Sequence, residues 1–409
     1  LYHHARHKMA EHGIDIKDVQ LDLGAMMSRK NKVVEGLTQN LRQLLERSKI
    51  EIIHGTARVE APDRVHVTRD EKIEDRNREL ILPARYILLA TGSEPNSLPG
   101  LDFDGKHIIT STQALEFDTV PGRLGIVGAG YVGLELGSVW QRLGSQVTVI
   151  EMLPQAAGST DGQVARTLTR LLKSQGMDIR LKTTVTQATV KNNQIDVSVK
   201  AKDTSDTLSF DRLLVSVGRR PRLDGLGLED LGVQKDAYSG RIIVDAAYRT
   251  SVESIYAIGD IIAGPMLAHK ASAEGVAAAE CMAGLPGEVN YDTLPFVMYT
   301  SPEAAGVGMT QEDAKKREIP FLTGTYPFSG TGRARCLGET DGFVKLIVHE
   351  KSDRILGVHI VGPRASDLIA EGVLAMESGT TAKDIARMVH SHPTFSEAMQ
   401  EAAAAVRKN

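Results

Sequence analysis

The chain has 409 residues, 42% of them hydrophobic and 24% charged, an ordinary globular balance with room for two to four domains. A net charge of −4 gives no electrostatic reason to expect nucleic acid or an anionic membrane, and no apolar run approaches the roughly 20 residues that span a bilayer. The two cysteines, Cys281 and Cys336, lie far apart and in no CxxC pattern, which argues against a disulfide scaffold or a zinc site and fits a reducing compartment.

The opening stretch "LYHHARHKMAEHGIDI" has no initiator Met, no signal-peptide pattern and no strand; it begins as if already inside a helix. His3 and His7 stand one helical turn apart, but two histidines alone make no metal set, so they read as a polar helix face. Residues 18–49 read as a helix, with Val34, Leu37, Leu41, Leu44 and Leu45 in a one-sided stripe. Three strand segments follow in "IEIIHGTARVE", "RVHVTR" and "ELILPARYILLATG". The mixed-sign run "RDEKIEDRNRE" between the last two reads as a solvated hairpin tip. A Gly/Pro-punctuated connection then leads to a domain boundary near Pro121.

From 122 to 183 the pattern alternates strand, helix, strand, helix, strand, which is a parallel α/β unit. "ATVKNNQIDVSVKA" reads as a β-hairpin, "FDRLLVSVG" as a return strand and "IYAIGD" as a buried strand ending in a turn. After about residue 289 the rhythm changes to an α+β module, with two antiparallel strands in "GFVKLIVHEKSDRILGVHIVG" and a helix in "ASDLIAEGVLAMESG".

The strongest chemical signal is "LGIVGAGYVGLELG". A β-run ends at Val127, Gly128, Gly130 and Gly133 follow in GxGxxG spacing, and a helix begins at once. Gly128 permits the tight turn, Gly130 lets a pyrophosphate approach the backbone, and Gly133 lets helix and strand pack closely, with the anion on the free N–H groups of the helix start. The next strand ends in Glu151, a carboxylate that accepts from both ribose hydroxyls and repels a 2′-phosphate, which favours NAD over NADP. Two other glycine-rich stretches, "GLGLEDLG" at 225–232 and "GTGRARCLG" at 330–338, do not read as a strand leading into a helix. "YILLATGS" and "TSVESIYAIGD" each end a strand in small residues, the second with Asp260 at the strand's C-terminal edge, where open α/β sheets bind ligands.

Taken in order, "ATG", the GxGxxG turn with its terminal Glu, and "YAIGD" resemble the flavoprotein disulfide reductases with two dinucleotide folds. "GDIIAGPMLAHKASAEG" and "HSHPTFSEA" narrow the resemblance to the dihydrolipoamide dehydrogenase family, over essentially the whole chain. The resemblance implies an α/β fold of two Rossmann-like dinucleotide-binding domains, the first incomplete, plus a C-terminal α+β dimerisation domain. Residues 1–120 would be the remnant of an FAD domain, 121–247 the NAD domain, 248–288 the return segment of the FAD domain and 289–409 the interface domain.

Residue by residue, it implies FAD contacts at Ala57, Thr91, Gly92, Ser93 and Asp260, and a flavin-lining backbone at Met266, Leu267, Ala268 and His269. On the NAD side it implies Gly128, Ala129, Gly130 and Gly133 at the pyrophosphate and Glu151 at the ribose. Glu135 would lie near the nicotinamide, with Val185 and Gly218 completing the pocket. In this family the histidine of "HPT" is the general base that deprotonates dihydrolipoamide, and a glutamate orients it; His392 and Glu397 match those positions. Electrons then pass through a redox disulfide and FAD to NAD⁺. The base serves the partner subunit's site, so the resemblance implies an obligatory homodimer working with the lipoyl domain of a 2-oxoacid dehydrogenase complex, in a bacterial cytoplasm or a mitochondrial matrix. Read from the residues alone, Thr394-x-x-Glu397 is a helix capping box, and His390 is structural or peripheral.

Three family features are missing: an opening βαβ unit with its own GxGxxG, a CxxxxC redox pair and a Lys near the flavin. The chain therefore reads as N-terminally truncated and, taken alone, unable to run the reaction. Alternatives stay open. Glutathione reductase would want basic residues near Glu151, and mercuric reductase would end in paired cysteines where this tail reads "AAAAVRKN". A soluble transhydrogenase and a non-catalytic, dimeric NAD-binding protein are the other two.

Overall fold

The computed structural model describes residues 1–69, 78–202 and 204–406, so residues 70–77 of the charged run between the second and third strands lie outside the described residues. The chain divides into two compact units: one of 1–23, 97–218 and 290–409, the other of 24–96 and 219–289.

In the first unit, a five-stranded parallel sheet is built from Ile108–Ile109, Arg212–Val215, Arg123–Val127, Gln146–Ile150 and Asp178–Arg180, in that spatial order. Its strands read as near-continuous apolar runs because both faces are covered, which is the habit of parallel sheets. The helix Tyr131–Arg142 buries Leu134, Leu136 and Trp140, and Trp140 Nε1 donates to Ala114 O at 3.0 Å. The helix Gly162–Ser174 buries Val164, Ala165, Leu168, Leu171 and Leu172, a 3.6-residue stripe, and Asp161 caps it by accepting from the Gln163 N–H. The hairpin of Thr184–Lys191 and Gln194–Ala201 turns through Asn192 and Asn193, both left-handed, as a two-residue turn of this kind requires. A further strand, Thr204–Phe210, extends that hairpin to three strands.

The same unit holds a five-stranded antiparallel sheet, in the order Phe296–Met298, Glu303–Gly308, Ile355–Gly362, Phe343–His349, Phe321–Pro327. Helices Ala365–Glu377 and Glu397–Ala405 pack on it around a core of Val344, Leu346, Val358, Ile360, Ile369 and Met399. Here one expectation needs correcting. The stretch 330–338 leads into a helix, Gly332–Leu337, and a strand, Phe321–Pro327, precedes it across a 3-10 turn, Phe328–Gly330. The strand is an antiparallel edge strand and the helix has six residues, so the spacing is present without a parallel sheet edge behind it.

In the second unit, Ile87–Leu89 pairs in parallel with Ile255–Ala257, and Ser93–Pro95 pairs with Arg219–Pro221. The helix expected over 18–49 spans Leu23–Arg47, and its stripe is exposed: Leu37, Leu41 and Leu44 are 57–64% accessible. The first expected strand begins only at Gly55, because residues 51–54 find no ladder partner.

Candidate functional site

The turn after Val127 has the geometry its glycines imply. Gly128 is left-handed at φ 101°, and its N–H donates to Ile150 O at 2.9 Å. A Cβ on Gly133 would lie 2.1 Å from Gly128 O, and one on Gly130 would meet nothing within 4 Å. The first position is therefore closed to side chains by helix–strand packing, and the second opens onto free space. Gly130 begins the helix Tyr131–Arg142 with no side-chain cap, which leaves N–H donors available to an anion.

Glu151 does more than stand at the strand end. Its Oε2 accepts from the Ala129 N–H and its Oε1 from the Leu153 N–H, both at 2.8 Å. The carboxylate ties the glycine turn to its own loop and keeps further lone pairs for ribose hydroxyls. Glu135, on the second turn of the helix, accepts from the Tyr299 N–H at 2.8 Å, and burial raises its pKa against the lowering effect of that bond. Ser216 braces the turn from the neighbouring strand, donating towards Val127 O and Gly128 O at 3.0 and 3.2 Å. Sequence reasoning missed Ser216, since a serine after a strand carries no signal of its own. Gly218, left-handed at φ 109°, follows two residues on. Val185 lies in the adjoining hairpin, packed against the core of this unit.

In the second unit, the two parallel strand ends bring several expected positions together. Thr91 Oγ1 donates to Arg222 O at 2.6 Å, and Gly92 O accepts from the Arg222 N–H at 2.9 Å. Ser93 Oγ donates to Asp260 Oδ2 at 2.5 Å and accepts from Arg219 Nε at 2.6 Å. Gly92 is left-handed, with nothing within 4 Å of its Cβ position, so the cradle is open to a ligand. Met266 and Leu267 are half-buried, and Ala268 and His269 are exposed at the start of the helix Ala268–Met282, which has no side-chain cap. Ala57 stands apart from these, exposed on the strand Gly55–Ala61.

His392 Nδ1 lies 2.7 Å from Glu397 Oε1, and the imidazole is 78% exposed. Glu397 Oε2 accepts from the Thr394 N–H at 2.8 Å. The two oxygens of Glu397 thus take different partners. The helix itself starts at Glu397 with Ser396 as its uncapped first flank, so Thr394 is not the cap of a capping box. The bond from His392 and then the Thr394 N–H hold the Glu397 pKa below the usual carboxylate value. A carboxylate that accepts from Nδ1–H leaves Nε2 as the basic nitrogen. The His390 ring, by contrast, is 5% exposed, with Nε2 2.8 Å from Glu371 Oε1.

His3 and His7 have ring centroids 4.6 Å apart, and the His3 pKa is pushed down to about 4 by burial and then by the Arg142 charge. Among the described residues, no group of three or more His, Cys, Asp or Glu is placed to hold a metal. Cys281 and Cys336 are free thiols. Among the described residues, no helix is long and apolar enough to cross a membrane.

Residues 2–275 match the family model described as pyridine nucleotide-disulphide oxidoreductase, and residues 294–403 match the dimerisation domain of that family. The chain is similar to the mitochondrial dihydrolipoyl dehydrogenase of Pisum sativum, 41% identical over 407 residues that cover 99% of this chain and 80% of the relative. It is 43% identical to the dihydrolipoamide dehydrogenase of Chaetomium thermophilum over 408 residues, again 99% of this chain and 80% of the relative. Among solved structures, LpdA from Mycobacterium tuberculosis is similar with a TM-score of 0.86 at 25% identity, covering 95% of this chain and 84% of that one.

Proposed function

The chain belongs to the pyridine nucleotide-disulphide oxidoreductases, with Rossmann-type dinucleotide-binding domains and a C-terminal dimerisation domain, and from that premise we propose that it is a dihydrolipoyl dehydrogenase. Its substrate is dihydrolipoamide carried on a lipoyl domain of a 2-oxoacid dehydrogenase complex. The observation that carries this reading is the His392–Glu397 pair, an exposed imidazole whose orientation is fixed by a carboxylate at 2.7 Å.

Glu397 holds the proton of His392 on Nδ1, so Nε2 is free to take the proton of a substrate thiol. The thiolate that results is the form that undertakes disulfide exchange. As the imidazolium forms, the Glu397 carboxylate stabilises it at short range. Cys281 and Cys336 are not assigned to that disulfide.

Bound FAD and NAD supply the two-electron chemistry that no side chain here performs. The chain's part is to bind and orient them. Thr91, Gly92, Ser93 and Asp260 form the open cradle for FAD, with Met266 to His269 beside it and Ala57 on the adenine side. Gly128, Ala129, Gly130 and Gly133 seat the NAD pyrophosphate, and Glu151 takes the ribose and disfavours a 2′-phosphate. Glu135, Val185 and Gly218 complete that pocket.

The protein acts as a homodimer, His392 of each subunit serving its twin. The matched dimerisation domain supports this, as do its apolar residues Leu374, Met388 and Val389, which are 50–96% exposed. Its place is a mitochondrial matrix, as the name of the Pisum sativum relative suggests, or a bacterial cytoplasm.

The test is turnover of the natural full-length protein with dihydrolipoamide and NAD⁺. NADH formation at an ordinary enzymatic rate supports the reading. A protein that exchanges hydride between pyridine nucleotides but leaves dihydrolipoamide untouched is a transhydrogenase, and the reading is wrong.

A further inference from the structure

Lys270 and Glu274 form an ion pair one helical turn apart, with Nζ 2.9 Å from Oε1 and 3.1 Å from Oε2. On a helix this spacing is usually a solvated surface pair. Here the two side chains are 1% and 0% exposed. Burying two charges costs several kcal/mol per ion unless further hydrogen bonds satisfy them, so their other partners matter.

Each of the two charges has a partner on the same residue. Glu274 Oε2 accepts from the Gly259 N–H at 2.7 Å, and Lys270 Nζ donates to Gly259 O at 3.1 Å. The pair thus grips the amide and the carbonyl of the same glycine, which sits in the left-handed region at φ 76°. Gly264 completes the fit, because a Cβ there would lie 2.8 Å from Lys270 Cε. The residue after Gly259 is Asp260, whose carboxylate accepts from Ser93 Oγ.

We propose that Lys270 and Glu274 are positioning residues that lock the Gly259–Asp260 step and so aim the Asp260 carboxylate into the FAD cradle. The inference rests on the reading of Asp260 as a flavin-nucleotide contact. Both side chains are buried, at 1% and 0% exposure. They act through the Gly259 peptide groups, whose two hydrogen bonds fix the backbone that projects Asp260. A charged pair suits the task because a carboxylate and an ammonium bond the two peptide groups more strongly than neutral partners. The ion pair also ties the helix Ala268–Met282 to the end of the strand Ile255–Ala257.

The decisive variant is K270M/E274Q in the natural full-length protein. It removes both charges together, so neither is left buried alone, and the carboxamide oxygen it introduces can still accept from the Gly259 N–H. If the pair only stabilises the fold, this variant regains wild-type FAD affinity along with its melting temperature. The clasp predicts FAD binding about tenfold weaker or more, the worth of a lost charge-assisted hydrogen bond. It also predicts raised flavin fluorescence, with NADH affinity unchanged.

Hydrogen exchange across residues 257–262 of FAD-stripped wild type provides a test that needs no variant. The clasp predicts a protected Gly259 amide without the cofactor, and open-loop exchange there overturns it. A double variant that binds FAD as wild type also overturns it. Wild type that takes up no FAD overturns the flavin reading, and with it the proposed purpose, while the exchange measurement still decides whether the clasp exists.

Discussion

Lys345 Nζ lies 2.8 Å from Asp161 Oδ2, with both side chains at or below 2% exposure, and the bond joins the cap of the helix Gly162–Ser174 to the middle of the antiparallel sheet. Asp161 also accepts from the Gln163 N–H and the Gln311 N–H, and Lys345 donates to Gln311 Oε1 at 2.7 Å. Replacing Lys345 with Met leaves an uncompensated carboxylate in a dry site. The expected loss is about 3–5 kcal/mol of unfolding free energy, measured by denaturant titration. K345M/D161N should recover part of it. A single variant as stable as wild type would show that the pair contributes nothing.

The same cluster sets an acid limit. Burial pushes the Asp161 pKa up, but Lys345, the His359 site and the Gln311 N–H together bring it below its ordinary 3.8. A carboxylate with a depressed folded pKa contributes stability that is full above its unfolded value and lost as pH falls through the folded one. Burial also lowers the His359 pKa below 6.5, against the raising effects of Met309 O and Asp161. Its Nε2 bonds Met309 O at 2.8 Å, and Nδ1 has no partner among the described residues. Protonating that ring disfavours the fold, so its contribution is full above 6.5 and falls as pH drops towards the folded value. Stability should therefore decline in two windows, below 6.5 and again below 3.8. His359→Gln should flatten the first and narrow the second, since it also removes one of the charges that lower the Asp161 pKa. Identical pH profiles for the two proteins would remove His359 from the account.

His392→Gln in the full-length protein should slow dihydrolipoamide oxidation by on the order of a hundredfold or more, the scale of lost general-base catalysis. Glu397→Gln should cost less, because the imidazole keeps its place but loses a charged partner for its protonated form. Steady-state turnover and its pH profile measure both. Near-normal turnover of the His392 variant would move the base elsewhere.

Glu151→Ala should weaken NADH binding by more than the lost ribose contact alone, because the Ala129 and Leu153 N–H groups lose their acceptor and the glycine turn loosens. Glu151→Gln keeps one acceptor oxygen and should fall between the two. Titration of NADH by fluorescence separates them, and equal affinity in all three proteins would rule out the ribose assignment.

Gly133→Ala should abolish NADH binding or the fold of its unit, since the new methyl would stand 2.1 Å from Gly128 O. Gly130→Ala meets no protein atom. It should therefore fold as wild type and lose affinity only through the methyl's approach to the pyrophosphate. Circular dichroism together with NADH titration distinguishes the two, and an unaffected Gly130 variant would place the pyrophosphate elsewhere.

Much of this was legible in the residues. The run from Arg123 to Ile150 declares a strand, a glycine turn, a helix and a second strand, because period, glycine spacing and the terminal Glu151 are all local properties of the chain. The Asn192–Asn193 turn and the amphipathic helix Gly162–Ser174 were legible for the same reason. The pairing of His392 with Glu397, 2.7 Å apart, was implied by the family resemblance and not by the spacing, which by itself reads as a helix cap.

What the residues alone could not decide is where charges lose water. Lys270 and Glu274 have the spacing of a surface pair, and Asp161 and Lys345 are 184 residues apart. Nothing in either pattern says that the pair is dry or that a backbone amide completes it. Glu151 likewise reads as a free ribose acceptor until the turn folds back and its two oxygens take up the Ala129 and Leu153 N–H groups. Local sequence sets the periodicity and the turns, because those depend on near neighbours. Burial and hydrogen-bond partnership are set by what distant segments bring to the same place, so only the tertiary structure turns Lys270, Glu274, Asp161 and Lys345 from solvated side chains into internal ties.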